Sequence, residues 1–254
     1  MLRAPRNLYT AEPLFDRLAV HCHVVSPAEI IESDYNVAHS GAAERRPYKE
    51  LPEMFSALSE IVRRSEECKF IHAYTSAFDA AAHTFGSASP ELQNTFRQID
   101  AAFARFLDEI AGSDTLVIAV ADHGFIDSPK AACVELADHP QLAETLMLPL
   151  CGERRVAYCY VQPRQQDAFE HYVQTRLAHC TTLYRSADLI EQGWFGLGPP
   201  NPHLAGRVGH YTLLMRDNYT IKDWIPGESR HLTLGVHGGV SAAEMYVPLI
   251  VAAA

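Results

Sequence analysis

The feature that most constrains the fold is an unbroken apolar run at residues 116–121, LVIAVA, which ends directly at Asp122, His123 and Gly124. A strand that is apolar on both faces is typical of the middle of a sheet covered by helices on both sides. Along the rest of the chain, short apolar runs alternate with longer amphipathic stretches, which indicates an α/β fold. The strands predicted in this way cover residues 19–25, 70–74, 115–121, 155–161, 208–215 and 245–251.

Amphipathic stretches between these strands predict helices. The clearest one opens with a capping hydroxyl at Ser89 and with Pro90 in its first turn, and Gly112 follows its end. A segment rich in glycine and proline at 193–202 predicts a loop, and it belongs to a small inserted lobe expected over about 125–205. The predicted helices cover residues 51–67, 89–110 and 166–177.

Charge and cysteine content argue against several classes of protein. The chain has 254 residues, and 21 basic against 31 acidic side chains give a net charge of −10 without a basic run, so a nucleic-acid polymer is not an expected partner. We see no run of about 20 apolar residues and no secretory leader, and we expect no membrane segment and a cytoplasmic location. Six scattered cysteines without a C-x-x-C pair favour neither a disulfide scaffold nor a thiolate zinc site.

Two motifs pair a carboxylate with an imidazole. Asp79 and His83 are four residues apart, so on a helix they share one face and can grip one ion, and a solvated Asp–His pair is the competing interpretation. Asp122 and His123 follow the apolar strand, at the end of a strand where open α/β sheets bind ligands. The alternative there is a turn cap at Asp122 with an exposed His123.

A third motif begins with His237. Gly238 and Gly239 follow it and permit the close approach of a ligand. Ser241 and Glu244 resemble a capping box that opens a short helix. This structural interpretation explains the serine and the glycines but not the histidine.

The three motifs together predict a metal centre. Asp79, His83 and His237 supply two imidazoles and one carboxylate and leave a fourth position open, as in a catalytic zinc site. Asp122 and His123 supply two ligands for a second ion, which needs at least one more. Two ions about 4 Å apart would clamp the attacking and leaving oxygens of a phosphoryl displacement.

The same segments resemble a known family. The motifs FxxAYTSAFDAAAHTFG at 70–86, DTLVIAVADHG at 114–124 and GVHGGVSAAEMYVPL at 235–249 are similar, in order and spacing, to those of the type I phosphodiesterase/nucleotide pyrophosphatase family of the alkaline phosphatase superfamily. The segment from Arg207 also resembles that family's Arg-hydrophobic-Gly-Asp sequence, with His210 in place of the usual aspartate.

The resemblance implies a fold and a set of cofactors. The fold would be an alkaline-phosphatase-like mixed sheet sandwiched by helices, and the cofactors would be two divalent metal ions, zinc by resemblance. Asp79, His83 and His237 would match the ligands of the ion that activates water. Asp122 and His123 would match ligands of the ion that holds the nucleophile.

The resemblance also implies a segment that the sequence does not provide. Family members open with a strand carrying a metal-binding aspartate and then a Thr or Ser nucleophile, whereas the 78 residues before Asp79 hold no such opening. Thr10 fits an N-cap better than a nucleophile. We therefore expect one partial alkaline-phosphatase-like domain over 1–254 that lacks the first strand and the nucleophile helix. A partner chain or a second copy would then cover the exposed sheet edge.

These observations predict a metal-dependent phosphoric-ester hydrolase that acts on a small phosphate-ester or nucleotide-like substrate and is impaired for want of its Thr or Ser nucleophile. They assign no nucleophile and no substrate-binding residue. The alternative is a noncatalytic metal-binding remnant or a partner subunit of a split hydrolase. A phosphomutase or sulfatase relative is a further alternative, against which the absent sulfatase cysteine signature argues only weakly because that signature also lies in the missing region.

Overall fold

The structure, a computed structural model, describes residues 9, 11–64 and 67–254. It is a mixed α/β fold that divides into two compact units. The first contains the described part of Met1–Ala81 together with Pro90–Ala119 and Leu249–Ala254, and the second contains Ala82–Ser89 and Val120–Pro248. One unbroken helix, α4, runs through the division. In the described part of the chain, every helix is too short or too polar to cross a bilayer.

The regular elements alternate along the chain as the sequence predicts. The helices are α1 (Leu14–Arg17), α2 (Asp34–Ser40), α3 (Leu51–Arg63), α4 (Ala77–Phe85), α5 (Pro90–Glu109), α6 (Pro140–Ala143), α7 (Gln166–Tyr172), α8 (Ser186–Glu191) and α9 (Ala242–Met245). The strands are β1 (His21–Pro27), β2 (Glu44–Tyr48), β3 (Lys69–Ala73), β4 (Leu116–Val120), β5 (Ile126–Asp127), β6 (Cys133–Glu135), β7 (Cys151–Gly152), β8 (Val156–Cys159), β9 (Thr181–Arg185), β10 (Tyr211–Met215), β11 (Thr220–Lys222), β12 (Gly235–Val236) and β13 (Leu249–Ala253).

The first unit packs helices α3 and α5 against a parallel sheet in the order β2-β1-β3. The start of α3 is fixed by a reciprocal capping box, in which the side chains of Glu50 and Glu53 each accept a backbone N–H of the other residue. Its apolar stripe and that of α5 form one core with the sheet. The buried members of this core are Val25, Tyr48, Met54, Phe55, Leu58, Ile61, Ala102, Phe106 and Ile110.

Residues 116–119 of strand β4 belong to the same unit, and β4 pairs with β13. Val117 packs against the helical core, whereas Leu116, Ile118 and Val120 are 59–64% exposed. The apolar run predicts a strand covered on both faces, and this expectation was wrong for the described residues. Strand residues alternate between the two faces of a sheet, and only the face that carries Val117 lies on the helices.

The second unit is built on an antiparallel sheet in the order β7-β8-β10-β9. Central β10 places Tyr211 between Cys159 of β8 and Arg185 of β9. Helix α7 and the π-helical turn Val173–Leu177 cover this sheet through buried Phe169. Two short ribbons complete the unit, a parallel pair of β6 with β11 and an antiparallel pair of β5 with β12. The predicted lobe over 125–205 falls within this unit.

The segment at the end of the chain differs from the prediction. The sequence predicts a strand over residues 245–251, but α9 occupies Ala242–Met245 and β13 begins only at Leu249. The predicted capping box was also wrong, because the hydroxyl of Ser241 donates to the carboxylate of Glu244 instead of accepting a backbone N–H. That carboxylate is turned inward, towards Arg155.

Candidate metal centre

Helix α4 carries the first two candidate ligands. Asp79 lies in its first turn and His83 in its last, one turn apart on an unbroken helix. The imidazole of His83 donates from Nδ1 to the carbonyl of Gly235, 2.8 Å away, while the N–H of Leu234 donates to the carbonyl of His83 at 2.9 Å. These bonds fasten the start of β12 to the end of the helix.

Gly235 is required by this close approach. A Cβ at that position would lie 2.2 Å from the backbone oxygen of Ala82, which is fully buried in α4. Only a glycine therefore lets β12 pass so near the helix backbone. Because β12 ends at Val236, His237 emerges directly beside the helix turn that carries His83.

His123 lies in the loop between β4 and β5. The N–H of the next residue, Gly124, donates to the carbonyl of Glu244 at 2.8 Å. A Cβ on Gly124 would lie 2.0 Å from the backbone oxygen of Ala243, so this glycine too is fixed by a close backbone contact. The ring of His123 contacts the carbonyl of Gly124 through Nδ1 at 3.0 Å.

The imidazoles converge around one phenylalanine. The rings of His123 and His237 stack with centroids 3.6 Å apart and an interplanar angle of 11°. The ring of His83 lies 5.1 Å from that of His237. Phe125 contacts all three imidazoles at 5.1–5.3 Å, in each case roughly edge to face. Antiparallel pairing of β5 with β12 brings Phe125 and His237, which flank this ribbon, to the same end.

A carboxylate completes the group. One ligand atom from each of Asp79, His123 and His237 lies within 4.8 Å of the others, and all three residues are partly buried. Asp122 lies at the edge of this group of ligands. Its side chain is 76% exposed, and its Oδ1 is 3.6 Å from Nε2 of His123. The sequence pairs His237 with Asp79 and His83, whereas the structure groups it with Asp79 and His123.

The donor set fits a divalent metal ion. A carboxylate and imidazoles are typical ligands of catalytic zinc. A carbonyl oxygen can only accept, so the bonds from Nδ1 to the carbonyls of Gly235 and Gly124 place the ring protons of His83 and His123 on Nδ1. Nε2 of each ring then carries the lone pair that coordinates a metal, and the carbonyl holds the ring in that tautomer.

Sequence reasoning missed Arg155 as a component of this region and gave Glu244 the wrong role. Both side chains are buried, at 2% and 0% exposure, and they form an ion pair 3.0 Å long. The one available signal was an acidic residue standing alone in the otherwise uncharged segment 240–254. His210 has a local role, because its Nδ1 accepts the backbone N–H of Val161 at 2.9 Å. Thr10 lies outside the described residues.

Most of the sequence matches a known family. The sequence pattern of the type I phosphodiesterase / nucleotide pyrophosphatase family matches residues 8–239. None of the curated proteins compared with the chain matches it.

Several solved structures share the fold. Murine ectonucleotide pyrophosphatase / phosphodiesterase 5 is similar with a TM-score of 0.67 at 17% identity, over 93% of this chain and 61% of that one. The human protein of the same name gives a TM-score of 0.66 at 16% identity with the same coverage. Phosphonoacetate hydrolase from Sinorhizobium meliloti 1021, in complex with phosphonoformate, gives 0.60 at 16% identity and 93% and 66% coverage.

The chain thus spans about three fifths of the length of the ectonucleotide relatives that it matches. At these identities the structural likeness establishes the fold, a mixed α/β architecture of the alkaline phosphatase type. The family match covers most of the sequence, including Asp79, His83, Asp122, His123 and His237. The chain belongs to the type I phosphodiesterase/nucleotide pyrophosphatase family.

Proposed function

We propose that this chain carries the metal-binding part of a hydrolase that cleaves small phosphodiester or nucleotide-like substrates. The observation that carries the proposal is the convergence of Asp79, His123 and His237, whose ligand atoms lie within 4.8 Å of one another. Family membership supports the reaction class. The solved relatives are described in complex with AMP and with phosphonoformate, and such phosphorus oxyanions suit a cationic centre.

The chain's own residues would bind the ion and keep its ligands fixed. Asp79 contributes the negative charge, and the rings of His123 and His237 contribute neutral nitrogen donors. A zinc ion held there would act as a Lewis acid for a phosphoryl oxygen and lower the pKa of bound water. Phe125 packs edge-on against the imidazoles and would help to keep their rings in place.

We also propose a second divalent ion, as the resemblance implies. Asp122 and His83 are the remaining donors beside the first group. The carboxylate of Asp122 is near His123, and the ring of His83 is 5.1 Å from that of His237. In this arrangement the two ions would share the histidine cluster, with Asp122 on the solvent side, where a substrate would enter.

The nucleophile is the part that we do not assign. The described side chains that contact the stacked imidazoles include Asp122, His83 and Phe125, which are ligands or packing groups. We therefore propose that the isolated chain turns over phosphodiesters weakly. A second candidate function, a metal-binding partner subunit of a split hydrolase, is favoured by the apolar face of β4, where Leu116, Ile118 and Val120 are exposed.

Calorimetric titration of the EDTA-treated chain with zinc tests the metal centre. We expect saturable binding that Asp79→Asn and His237→Gln each weaken about 10-fold or more, because each removes one of three ligands. His203→Gln is the matched control, since His203 is exposed and lies outside the cluster. Absence of binding, or equal affinity in all four proteins, would refute the proposed centre.

Turnover of bis(4-nitrophenyl) phosphate with and without EDTA tests the activity. A slow, EDTA-sensitive rate supports the hydrolase. Zinc binding without any turnover supports the partner subunit. A robust rate would show that this chain contains a nucleophile that our proposal does not assign.

A further inference from the structure

Arg155 and Glu244 form a fully buried ion pair within the second unit. Nε of Arg155 lies 3.0 Å from Oε1 of Glu244, and Nη2 lies 3.0 Å from Oε2, so the guanidinium and the carboxylate meet in a two-pronged contact. Burying two charges costs free energy that is recovered only when their remaining hydrogen-bonding positions are filled. The partners that fill them indicate what the pair does.

The arginine is anchored to the sheet side of the unit. Its Nη1 donates to the backbone carbonyls of Tyr219 and Arg216, in the turn between β10 and β11. These bonds use main-chain acceptors that do not move with side-chain rotation. The guanidinium is therefore a fixed platform for the carboxylate of Glu244.

The carboxylate holds the turn that follows His237. Its Oε1 accepts the backbone N–H of Gly239 at 2.9 Å, and its Oε2 accepts the hydroxyl of Ser241 at 2.7 Å. A Cβ on Gly239 would lie only 2.7 Å from both carboxylate oxygens. The backbone two residues beyond the histidine thus rests directly on Glu244.

The backbone of the same residue holds the turn that follows His123. The carbonyl of Glu244 accepts the N–H of Gly124 at 2.8 Å. Glu244 therefore binds one loop through its side chain and the other through its main chain. The two loops carry the imidazoles that stack 3.6 Å apart.

The charge of Glu244 is maintained despite its burial. Burial alone would raise its pKa, but the hydrogen bonds from Arg155 and Ser241 outweigh this effect and lower the pKa below its ordinary value. The group is thus an acceptor on both oxygens at neutral pH, as its four bonds require.

We infer that Glu244 is a positioning residue that sets the spacing of His123 and His237, and that Arg155 holds its carboxylate in place. Neither side chain is among the grouped ligands, so their effect on a bound ion passes through the two loops. The inference rests on the proposed function only for its consequence for metal binding. The stacking of the two rings is a property of the metal-free chain.

The test uses Glu244→Gln, which keeps the size of the side chain but replaces one accepting oxygen with a donor that faces donors. Proton NMR of the metal-free protein, with histidine signals assigned through His123→Gln and His237→Gln, reports ring stacking. We expect the stacked-ring shifts of His123 and His237 to be lost and zinc affinity to fall about 10- to 100-fold. Glu228→Gln is the control, because Glu228 pairs with Lys222 outside these loops, and it should change neither quantity.

A second variant separates positioning from general stability. Replacing a buried ion pair by apolar residues of similar volume often preserves the fold, so Arg155→Met combined with Glu244→Leu should melt near the wild-type Tm. It cannot bind the N–H of Gly239 or the hydroxyl of Ser241 through a side chain. We expect it to fold, to lack the stacked-ring shifts and to bind zinc as weakly as Glu244→Gln.

The outcomes are distinct. Wild-type stacking shifts in the folded double variant would overturn the inference, whatever the metal affinity. If wild-type protein shows the stacked rings but binds no zinc, the proposed metal centre fails while loss of stacking in the variants still supports the positioning role. If Glu244→Gln does not fold, the double variant alone decides.

Discussion

The imidazole rings of His123 and His237 lie face to face at 3.6 Å, although they come from separate loops. Aromatic rings more often meet offset or edge to face, so a nearly parallel stack indicates that the backbone on each side fixes the rings. The loops are joined to α4 and α9 through backbone contacts at two glycines, Gly235 and Gly124.

Gly235→Ala should destabilise the protein strongly. The new Cβ would lie 2.2 Å from the backbone oxygen of Ala82, which cannot rotate away, so we expect a loss of about 3 kcal/mol in the free energy of unfolding. Urea denaturation measures it. Gly206→Ala is the control, because its Cβ would approach only the oxygen of His203, at 3.5 Å. Equal stability of the two variants would mean that β12 does not pass α4 so closely.

Phe125→Leu should loosen the imidazoles without unfolding the chain. Phe125 packs edge-on against His83, His123 and His237, and leucine retains apolar volume but loses these ring contacts. We expect a destabilisation of about 1 kcal/mol and a roughly 10-fold loss of zinc affinity. Thermal melting and zinc titration measure the two effects. Unchanged affinity in a folded variant would remove Phe125 from the description of the site.

Tyr211→Phe should show a pH-dependent loss of stability. The phenol of Tyr211 donates to Oε1 of Glu170 at 2.6 Å, and this bond, with help from Arg185, lowers the pKa of Glu170 despite an opposing effect of burial. A carboxyl group with a lowered pKa stabilises the fold above its unfolded pKa of about 4.3, and this stabilisation disappears as the pH falls through the folded pKa.

The variant should therefore be about 1 to 2 kcal/mol less stable than the wild type at pH 7, and the difference should shrink at pH values below the pKa of Glu170. Burial raises the pKa of Tyr211 to about 12, so its phenol stays protonated throughout. The measurement is chemical denaturation of both proteins between pH 7 and pH values below the pKa of Glu170. Tyr160→Phe is the control, because the Tyr160 hydroxyl donates to a backbone carbonyl, that of Gly206, and its loss should not vary with acid pH.

Two neighbouring substitutions in β4 should differ in their effect on stability. Ile118→Lys places a charge on the exposed apolar face and should reduce self-association with little change in stability. Val117→Lys places it against the α3–α5 core and should cost about 3 kcal/mol. Sedimentation velocity and denaturation distinguish them. Equal destabilisation by both would indicate that the outer face of β4 is covered.

Local signals in the sequence predict many of the elements well. Ser89 and Pro90 place the start of α5, and the spacing of apolar residues predicts α3, because both helices bury one stripe against a sheet. Helix α3 ends at Arg63, whereas the sequence predicts its end at residue 67. Residues 65–66 are not among the residues that the structure describes. Strand β2 went unpredicted, since ERRPY carries charges and a proline and pairs only at the sheet's edge.

The candidate ligands are visible in the sequence, but their arrangement is not. Spacing along a helix places Asp79 and His83 on one face, yet it cannot specify which of them meets the loop of His123. That choice depends on how closely β12 passes α4, which Gly235 decides. The exposure of Ile118 cannot be predicted from the sequence either. An apolar run shows that its residues are hydrophobic, but it does not show which face of the strand packs against another element.

The buried ion pair between Arg155 and Glu244 constrains how the sequence of this protein can evolve. Substitution of Arg155 alone would leave the buried carboxylate of Glu244 without its counter-charge. Substitution of Glu244 alone would leave the buried guanidinium of Arg155 unpaired. Single steps away from this pair are therefore disfavoured at either position. Among descendants of the same ancestor, we expect positions 155 and 244 to be inherited together or replaced together.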